Sequence, residues 1–179
     1  FSWIYNGNAN GDTRFDNDLM YVPASADEVV LTSGNWDELN SWISSEESLN
    51  EYRGEVVPRG TAREPWTNFL DLRINQEIET FAGQTLEITA SMFNVLNFLN
   101  QEWGLRESVS FNNYRAVNFE QYVDQDFINN RGSQYNLGSD DIGKPVLNFS
   151  PDNVTDEEIF NTNNLSSRWQ MQIGLKYSF

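Results

Sequence analysis

Residues 166–179 read SSRWQMQIGLKYSF and carry the strongest structural signal in the sequence. Large apolar side chains occupy every second position of this stretch, and polar or small residues lie between them. The apolar set comprises Trp169, Met171, Ile173, Leu175, Tyr177 and Phe179. A period of two predicts a β-strand with one apolar face, because successive side chains of a strand point to opposite sides. Aromatic residues at both ends of that face are typical of strands that cross a membrane.

Further stretches predict three more strands. Residues 66–80 alternate in the same way, with Leu72 and Ile74 on one side and Arg73 and Glu77 on the other. After a short turn at residues 81–84, a strand is predicted near residues 84–100, and a fourth near residues 1–6. A half-buried strand of a soluble β-sandwich would give the same alternation, so the periodicity alone leaves that alternative open.

The remaining segments, 7–65 and 104–165, are rich in Asn, Asp, Gly and Ser. Loops of this length are uncommon in compact soluble domains but common on the outer side of membrane barrels. The sequence therefore predicts an all-β fold, in which residues 1–179 form the C-terminal antiparallel strands of a transmembrane β-barrel with long extracellular loops. A short amphipathic helix is predicted within the first loop, at residues 36–49, with Asn35 as its N-cap.

Composition excludes several function classes. The chain has 27 acidic and 11 basic residues and a formal net charge of −16, which argues against nucleic acid as a partner. It has no Cys and no His, so thiolate catalysis and a Ser-His-Asp triad are impossible within the chain. No pair of carboxylates is singled out by its flanking sequence, and we therefore expect no enzymatic activity.

Four stretches resemble the C-terminal end of TonB-dependent receptors, particularly the Oar-like group. They are NGNANGDTRFDNDLMYVP from Asn6, RGEVVPRGTAREPWTNFLDLRINQEI from Arg53, ITASMFNVLNFLNQEWG from Ile88 and WQMQIGLKYSF from Trp169. The resemblance implies a receptor in the Gram-negative outer membrane that imports a ligand through a plugged barrel of roughly 22 strands. It also implies extracellular loops and a periplasmic C-terminus. Four strands cannot close a barrel, so we expect this chain to be part of a longer one.

The resemblance also implies a set of partners. These are the rest of the barrel and its plug, outer-membrane lipid, the barrel-insertion machinery, an energy-coupling inner-membrane complex reached through regions outside this chain, and a surface lipoprotein. Tyr177 and Phe179 resemble the terminal aromatic signal that the insertion machinery recognises. Anchoring at the membrane interface is an alternative role for the same two side chains.

One loop contains a candidate cation site. Its oxygen-bearing side chains alternate, as at the start of a calcium-binding loop, where such spacing brings several oxygens onto one ion. The candidate ligands are Asn8, Asn10, Asp12, Asp16 and Asp18. A metal-free network of Asx turns explains the same residues, so both interpretations stay open. Calcium is the one cofactor that the sequence suggests.

On the predicted strands, polar side chains on the face opposite the apolar one are expected to point into the barrel lumen. They are Asp71, Arg73, Gln170, Gln172 and Lys176. These side chains could contact the plug or the ligand, or they could form structural pairs between neighbouring strands.

Two alternatives to a transporter remain. The chain could be a barrel tail captured as client or subunit of an outer-membrane assembly or secretion complex. It could also be a soluble, secreted β-rich module that binds calcium or carbohydrate. A folded chain that needs no detergent would favour the second.

Overall fold

The structure, a computed structural model, describes residues 1–179, and the predicted all-β fold is wrong. About 30% of the residues are helical and 32% lie in strands, which form small sheets of 2–4 strands, none closed into a barrel. The two segments predicted as loops contain most of the helices and seven of the eleven strands. The physical reason is that these segments bury a hydrophobic core. No helix has the length and apolar character needed to cross a membrane.

The elements follow one another along the chain in a mixed order. The strands are β1 (Ser2–Asn6), β2 (Tyr21–Val22), β3 (Val30–Ser33), β4 (Glu55–Val56), β5 (Leu72–Glu79), β6 (Thr85–Phe93), β7 (Glu107–Ser108), β8 (Asn113–Tyr122), β9 (Pro145–Asn148), β10 (Asn161–Thr162) and β11 (Gln170–Ser178). The helices are α1 (Trp36–Ser45), α2 (Glu47–Asn50), α3 (Val95–Leu99), α4 (Gln125–Tyr135), α5 (Asp156–Ile159) and α6 (Asn164–Ser167).

The chain divides into two compact units. Unit 1 consists of Phe1–Glu64 and Val109–Asn161, and unit 2 of Pro65–Ser108 and Thr162–Phe179. Unit 1 contains a four-stranded sheet in the order β1-β8-β9-β3. Strand β1 runs parallel to β8, β8 antiparallel to β9, and β9 parallel to β3. Segments that are distant in the sequence therefore build one sheet.

The hydrophobic core of the protein lies in unit 1. Trp3, Ile43 and Phe149 are at most 1% exposed, and every buried apolar residue of the chain belongs to this unit. The Trp42 ring stacks on Phe149 with ring centroids 5.5 Å apart and meets Trp3 edge-on at 5.6 Å. The strand predicted near residues 1–6 is thus present as β1, and it is a buried strand of this core.

Helix α1 begins as the sequence predicts. The side chain of Asn35 accepts a hydrogen bond from the backbone N–H of Glu38 at 2.9 Å, which caps the helix. Leu39, Trp42 and Ile43 form its buried face. This part of the prediction is confirmed, although a break at Glu46 divides the predicted segment into α1 and α2.

Unit 2 contains a three-stranded antiparallel sheet in the order β11-β6-β5. The turn that joins β5 to β6 lies at Phe81–Gly83, and its residues Ala82 and Gly83 have positive φ angles of 53° and 83°. Where the sequence predicts one strand near residues 84–100, the chain leaves β6 at Asn94 and continues as α3. Asn94 adopts a left-handed conformation there, with φ 51°.

Candidate functional site

The segment between β1 and β2, residues 7–18, is named here the Asn/Asp loop, and its ends are held together by backbone hydrogen bonds. The N–H of Tyr5 donates to the carbonyl oxygen of Asp18 at 2.9 Å, and the N–H of Met20 donates to that of Trp3 at 3.2 Å. The backbone N–H of Ala9 bonds to the Asp18 side chain, so the two arms of the loop are also joined there. The loop therefore reverses direction from a fixed base on the sheet of unit 1.

Asp18 organises the base of the Asn/Asp loop. Its side-chain atom Oδ2 accepts hydrogen bonds from the backbone N–H groups of Ala9 at 2.6 Å and Asn10 at 3.0 Å. Asp18 is only 5% exposed, and none of the salt bridges of the protein involves it. Its second carboxylate oxygen, Oδ1, is buried without a hydrogen-bond partner.

Asp12 organises the tip of the loop. Its Oδ1 accepts the N–H of Arg14 at 2.9 Å, and its Oδ2 accepts the side-chain amide of Asn17 at 2.8 Å. These bonds hold the pKa of Asp12 below its usual value, the amide of Asn17 having the largest effect. Asn10 accepts the N–H of Asp12 at 2.8 Å. Asn10 and Asp12 thus form the Asx-turn network that the sequence allowed.

The five candidate calcium ligands do not share one environment. Asp16 is exposed and lies 3.8 Å from the guanidinium of Arg115. Asn8 resembles Asp18, because its Oδ1 is also buried without a partner. The same is true of Oδ1 of Asn17, a residue outside the alternating pattern that the sequence analysis therefore missed.

No group of three or more His, Cys, Asp and Glu side chains is arranged to hold a metal ion. A cation site in this chain would therefore need amide or carbonyl oxygens in addition to carboxylates.

A cavity of about 600 Å³ lies beside the Asn/Asp loop, within unit 1. Three tyrosines contribute aromatic surface, aliphatic side chains complete the apolar wall, and polar groups from the loop form the remainder. The lining residues are Tyr5, Ala9, Asn10, Asn17, Asp18, Leu19, Tyr21, Val56, Arg59, Tyr122, Gly143 and Pro145. A concave, mostly apolar site with a few polar groups is typical of small-molecule binding.

Hydrogen bonds fix two of the aromatic walls and the one arginine of this cavity. The hydroxyl of Tyr5 donates to the carbonyl oxygen of Tyr21 at 3.2 Å, and burial raises the pKa of Tyr5 above its ordinary value. The hydroxyl of Tyr21 donates to Glu28 at 2.8 Å. Arg59 donates to the carbonyl oxygen of Asn17 at 2.9 Å. The cavity is therefore largely formed before any ligand enters.

In unit 2 the strand register separates the side chains onto two faces. Leu72, Met92 and Met171 form one row of one face, and Ile74, Ala90 and Ile173 form the next. This face is apolar apart from Gln76. The opposite face carries Arg73, Gln170, Gln172 and Lys176, four of the five side chains expected to point into a lumen.

The fifth such residue, Asp71, precedes β5 and has a structural contact. Its carboxylate accepts the N–H of Asn94 at 2.8 Å. On the polar face, Lys176 lies 3.8 Å from the carboxylate of Glu87 on the neighbouring strand. At the end of β11, Tyr177 donates to Gln84, and Phe179 is 99% exposed.

Comparisons with protein-family models, curated proteins and solved structures gave no match for this chain. The resemblance to TonB-dependent receptors therefore depends on the quoted sequence stretches alone.

Proposed function

We propose that the chain is part of an outer-membrane receptor similar to the TonB-dependent transporters, which binds a ligand and imports it across that membrane. In this proposal the apolar face of unit 2 contacts lipid. The cavity of unit 1 binds the ligand on the extracellular side.

The observation that carries the proposal is the inverted burial of unit 2. The four residues of unit 2 that are buried are all polar: Ser91, Asn94, Asn97 and Ser167. Its large apolar side chains are exposed instead, including Ile173 at 67% and Leu175 at 71%. In water such an apolar face would be unfavourable by about 25 cal/mol for each Å². A lipid environment removes this cost, because hydrocarbon solvates an apolar face.

The dimensions of the sheet support the same placement. Strands β6 and β11 have 9 residues each and β5 has 8, close to the roughly 9–11 residues of a strand that crosses the outer membrane. Aromatic side chains lie near both ends, with Trp169 at one end and Phe179 at the other. Both edges of the sheet are unpaired within unit 2, so neighbouring strands of the receptor would have to satisfy their backbone groups.

A cysteine scan along β11 tests the proposal, because residues 1–179 contribute no Cys to background labelling. Ile173→Cys and Leu175→Cys place a probe on the apolar face, and the matched controls Gln172→Cys and Lys176→Cys place it on the polar face. Each variant of the full-length protein is labelled with an environment-sensitive fluorophore in isolated outer membranes. We expect lipid-embedded quenchers to quench the label at positions 173 and 175 several-fold more strongly than at 172 and 176.

Equal quenching at all four positions would contradict the proposal. Recovery of the protein in the soluble fraction would contradict it as well, and would favour a secreted binding module. Stable co-purification with a foreign assembly or secretion complex in place of a receptor would favour the client interpretation.

A further inference from the structure

We infer that the Asn/Asp loop binds one calcium ion through the side-chain oxygens of Asn8, Asn17 and Asp18. This inference concerns unit 1 alone and does not depend on the proposed function. Its starting point is the set of three buried oxygens without a hydrogen-bond partner: Oδ1 of Asn8, Oδ1 of Asn17 and Oδ1 of Asp18. Only two other side-chain atoms of the whole chain share that condition.

The three residues lie at the base of the Asn/Asp loop, where Asn17 and Asp18 line the same cavity. The carboxylate of Asp18 contacts the backbone N–H of Ala9, the residue that follows Asn8. Asn17 directly precedes Asp18. Backbone bonds hold the Asp18 segment against β1, and the Asp18 carboxylate in turn holds the backbone of Ala9 and Asn10.

All three groups are hydrogen-bond acceptors, and no donor of the protein reaches them. The amide nitrogen of Asn17 is engaged with Asp12. The nearest guanidinium on the cavity wall, that of Arg59, donates to the backbone oxygen of Asn17. Burial of a carboxylate oxygen without a partner is costly, so a positive ligand at this place would remove a substantial penalty.

A cation fits this set better than a water molecule. One water molecule has two hydrogens and can donate to only two of the three oxygens, whereas one cation can be coordinated by all three. All three metal-coordinating atoms would be oxygens. Such ligands favour a hard cation over zinc or copper. Calcium accepts carboxylate, amide and backbone carbonyl oxygens in flexible geometry with 6–8 ligands, whereas magnesium requires near-ideal octahedral positions.

The other three residues of the alternating pattern are not proposed as calcium ligands. Both carboxylate oxygens of Asp12 and the side-chain oxygen of Asn10 already accept hydrogen bonds inside the loop. Asp16 is exposed beside Arg115. Asn10 and Asp12 therefore shape the loop, Asp16 lies on its surface, and the proposed ion lies at the buried base.

Calcium titration of the full-length protein tests the inference, with calcium chloride as the probe and calorimetry and thermal unfolding as readouts. We expect a dissociation constant of about 0.1–1 mM, as in extracellular calcium modules, and a rise in the melting temperature of several degrees at ~10 mM calcium. Asp18→Asn keeps the shape and removes the charge, and should weaken binding on the order of 10-fold or more. The matched control Asp16→Asn should change affinity less than about 2-fold.

A second variant is included because Asp18→Asn could lose calcium binding through misfolding alone. Asn8→Asp adds a negative charge at a proposed ligand and should tighten calcium binding several-fold. Absence of any calcium-dependent heat or thermal shift in the native protein would overturn the inference. Loss of binding in Asp16→Asn with normal binding in Asp18→Asn would overturn it too, because the ion would then lie at the exposed tip of the loop.

Discussion

Single side chains in the Asn/Asp loop serve both folding and the candidate sites. One oxygen of Asp18 accepts two backbone N–H groups and closes the loop, while the other is free for a cation. The side-chain amide of Asn17 is similar, because its nitrogen donates a hydrogen bond to Asp12 and its oxygen has no hydrogen-bond partner. Substitution of either residue would therefore affect loop structure and ion affinity together, whereas no hydrogen bond of the loop uses the side chain of Asn8.

Gly7, at the start of this loop, is a residue whose replacement has a defined steric cost. Its φ angle is 151°, and a Cβ atom added there would lie 2.4 Å from the carbonyl oxygen of Phe119 on β8. Because β8 is held between two other strands, this oxygen cannot move away easily. We predict that Gly7→Ala lowers the free energy of unfolding by roughly 2–4 kcal/mol, measured by urea titration.

Gly11→Ala is the matched control in the same loop. Its φ angle of 77° is also unfavourable for alanine, but an added Cβ would meet no atom within 4 Å. The expected loss is about 1 kcal/mol, from the backbone conformation alone. Equal losses in the two variants would refute the steric explanation for Gly7.

At the scale of elements, the break between α1 and α2 places a carboxylate in an unfavourable position. Glu46 is the C-cap of α1 and also the N-cap of the four-residue α2, so the two helix ends act on its charge in opposite directions. Partial burial, together with the charge of Asp156, raises its pKa above the ordinary value of 4.5. Since the folded state then binds the proton more tightly than the unfolded state, this group lowers stability as pH rises above 4.5.

We therefore predict that Glu46→Gln stabilises the protein at pH 7, with a rise in melting temperature of about 1–3 °C. The gain should disappear below pH 4.5, where the native carboxyl is protonated in both states. Glu47→Gln is the control. Glu47 is exposed in the first turn of α2, where its negative charge interacts favourably with the positive end of the helix dipole. A pH-independent gain in Glu46→Gln would exclude the charge as its cause.

Elements also differ in how far the sequence reveals them. The alternation that defines β5, β6 and β11 is strong because one face of each is continuously apolar, and α1 is visible through its cap and its apolar spacing. In unit 1, by contrast, β2 and β4 have two residues each, too few to establish a period. Parallel pairing of β1 with β8 joins residues more than a hundred positions apart, which no local pattern encodes.

The sequence predicts only part of the candidate site, because some of its contacts form only in the folded chain. The alternating oxygens drew attention to even-numbered positions and included Asn8 and Asp18. Asn17 lies outside that spacing, and its role depends on a hydrogen bond to Asp12 that forms only when the loop closes. The cavity joins Tyr5, Tyr21 and Tyr122 from three strands, so their proximity required the fold.

At the scale of the whole molecule, apolar surface is distributed unequally between the units. Unit 1 buries its apolar side chains in a core, while unit 2 exposes them on one sheet face. Under the proposed function, polar substitutions on that face should therefore weaken membrane association without affecting the core of unit 1.

We predict that the triple variant Ile74→Thr, Ile173→Thr, Leu175→Thr reduces the membrane-bound fraction of the protein several-fold. Threonine keeps the preference for strands while removing apolar surface. The near-ultraviolet circular dichroism of the core tryptophans Trp3 and Trp42 should be unchanged. The control carries Asn75→Thr, Gln172→Thr and Ser178→Thr on the polar face, and an equal loss of membrane association there would argue against a lipid-facing role for the apolar side.

The parallel pairing of β1 with β8 also sets the order of events during synthesis. Strand β1 leaves the ribosome before β8, and at about 5–20 residues per second it waits roughly 5–20 s for its partner. During that interval the edge of β1 that later pairs with β8 has unpaired backbone groups, which are available to other nascent chains. The yield of folded protein should therefore depend more on holdase chaperones than on the stability of the finished fold.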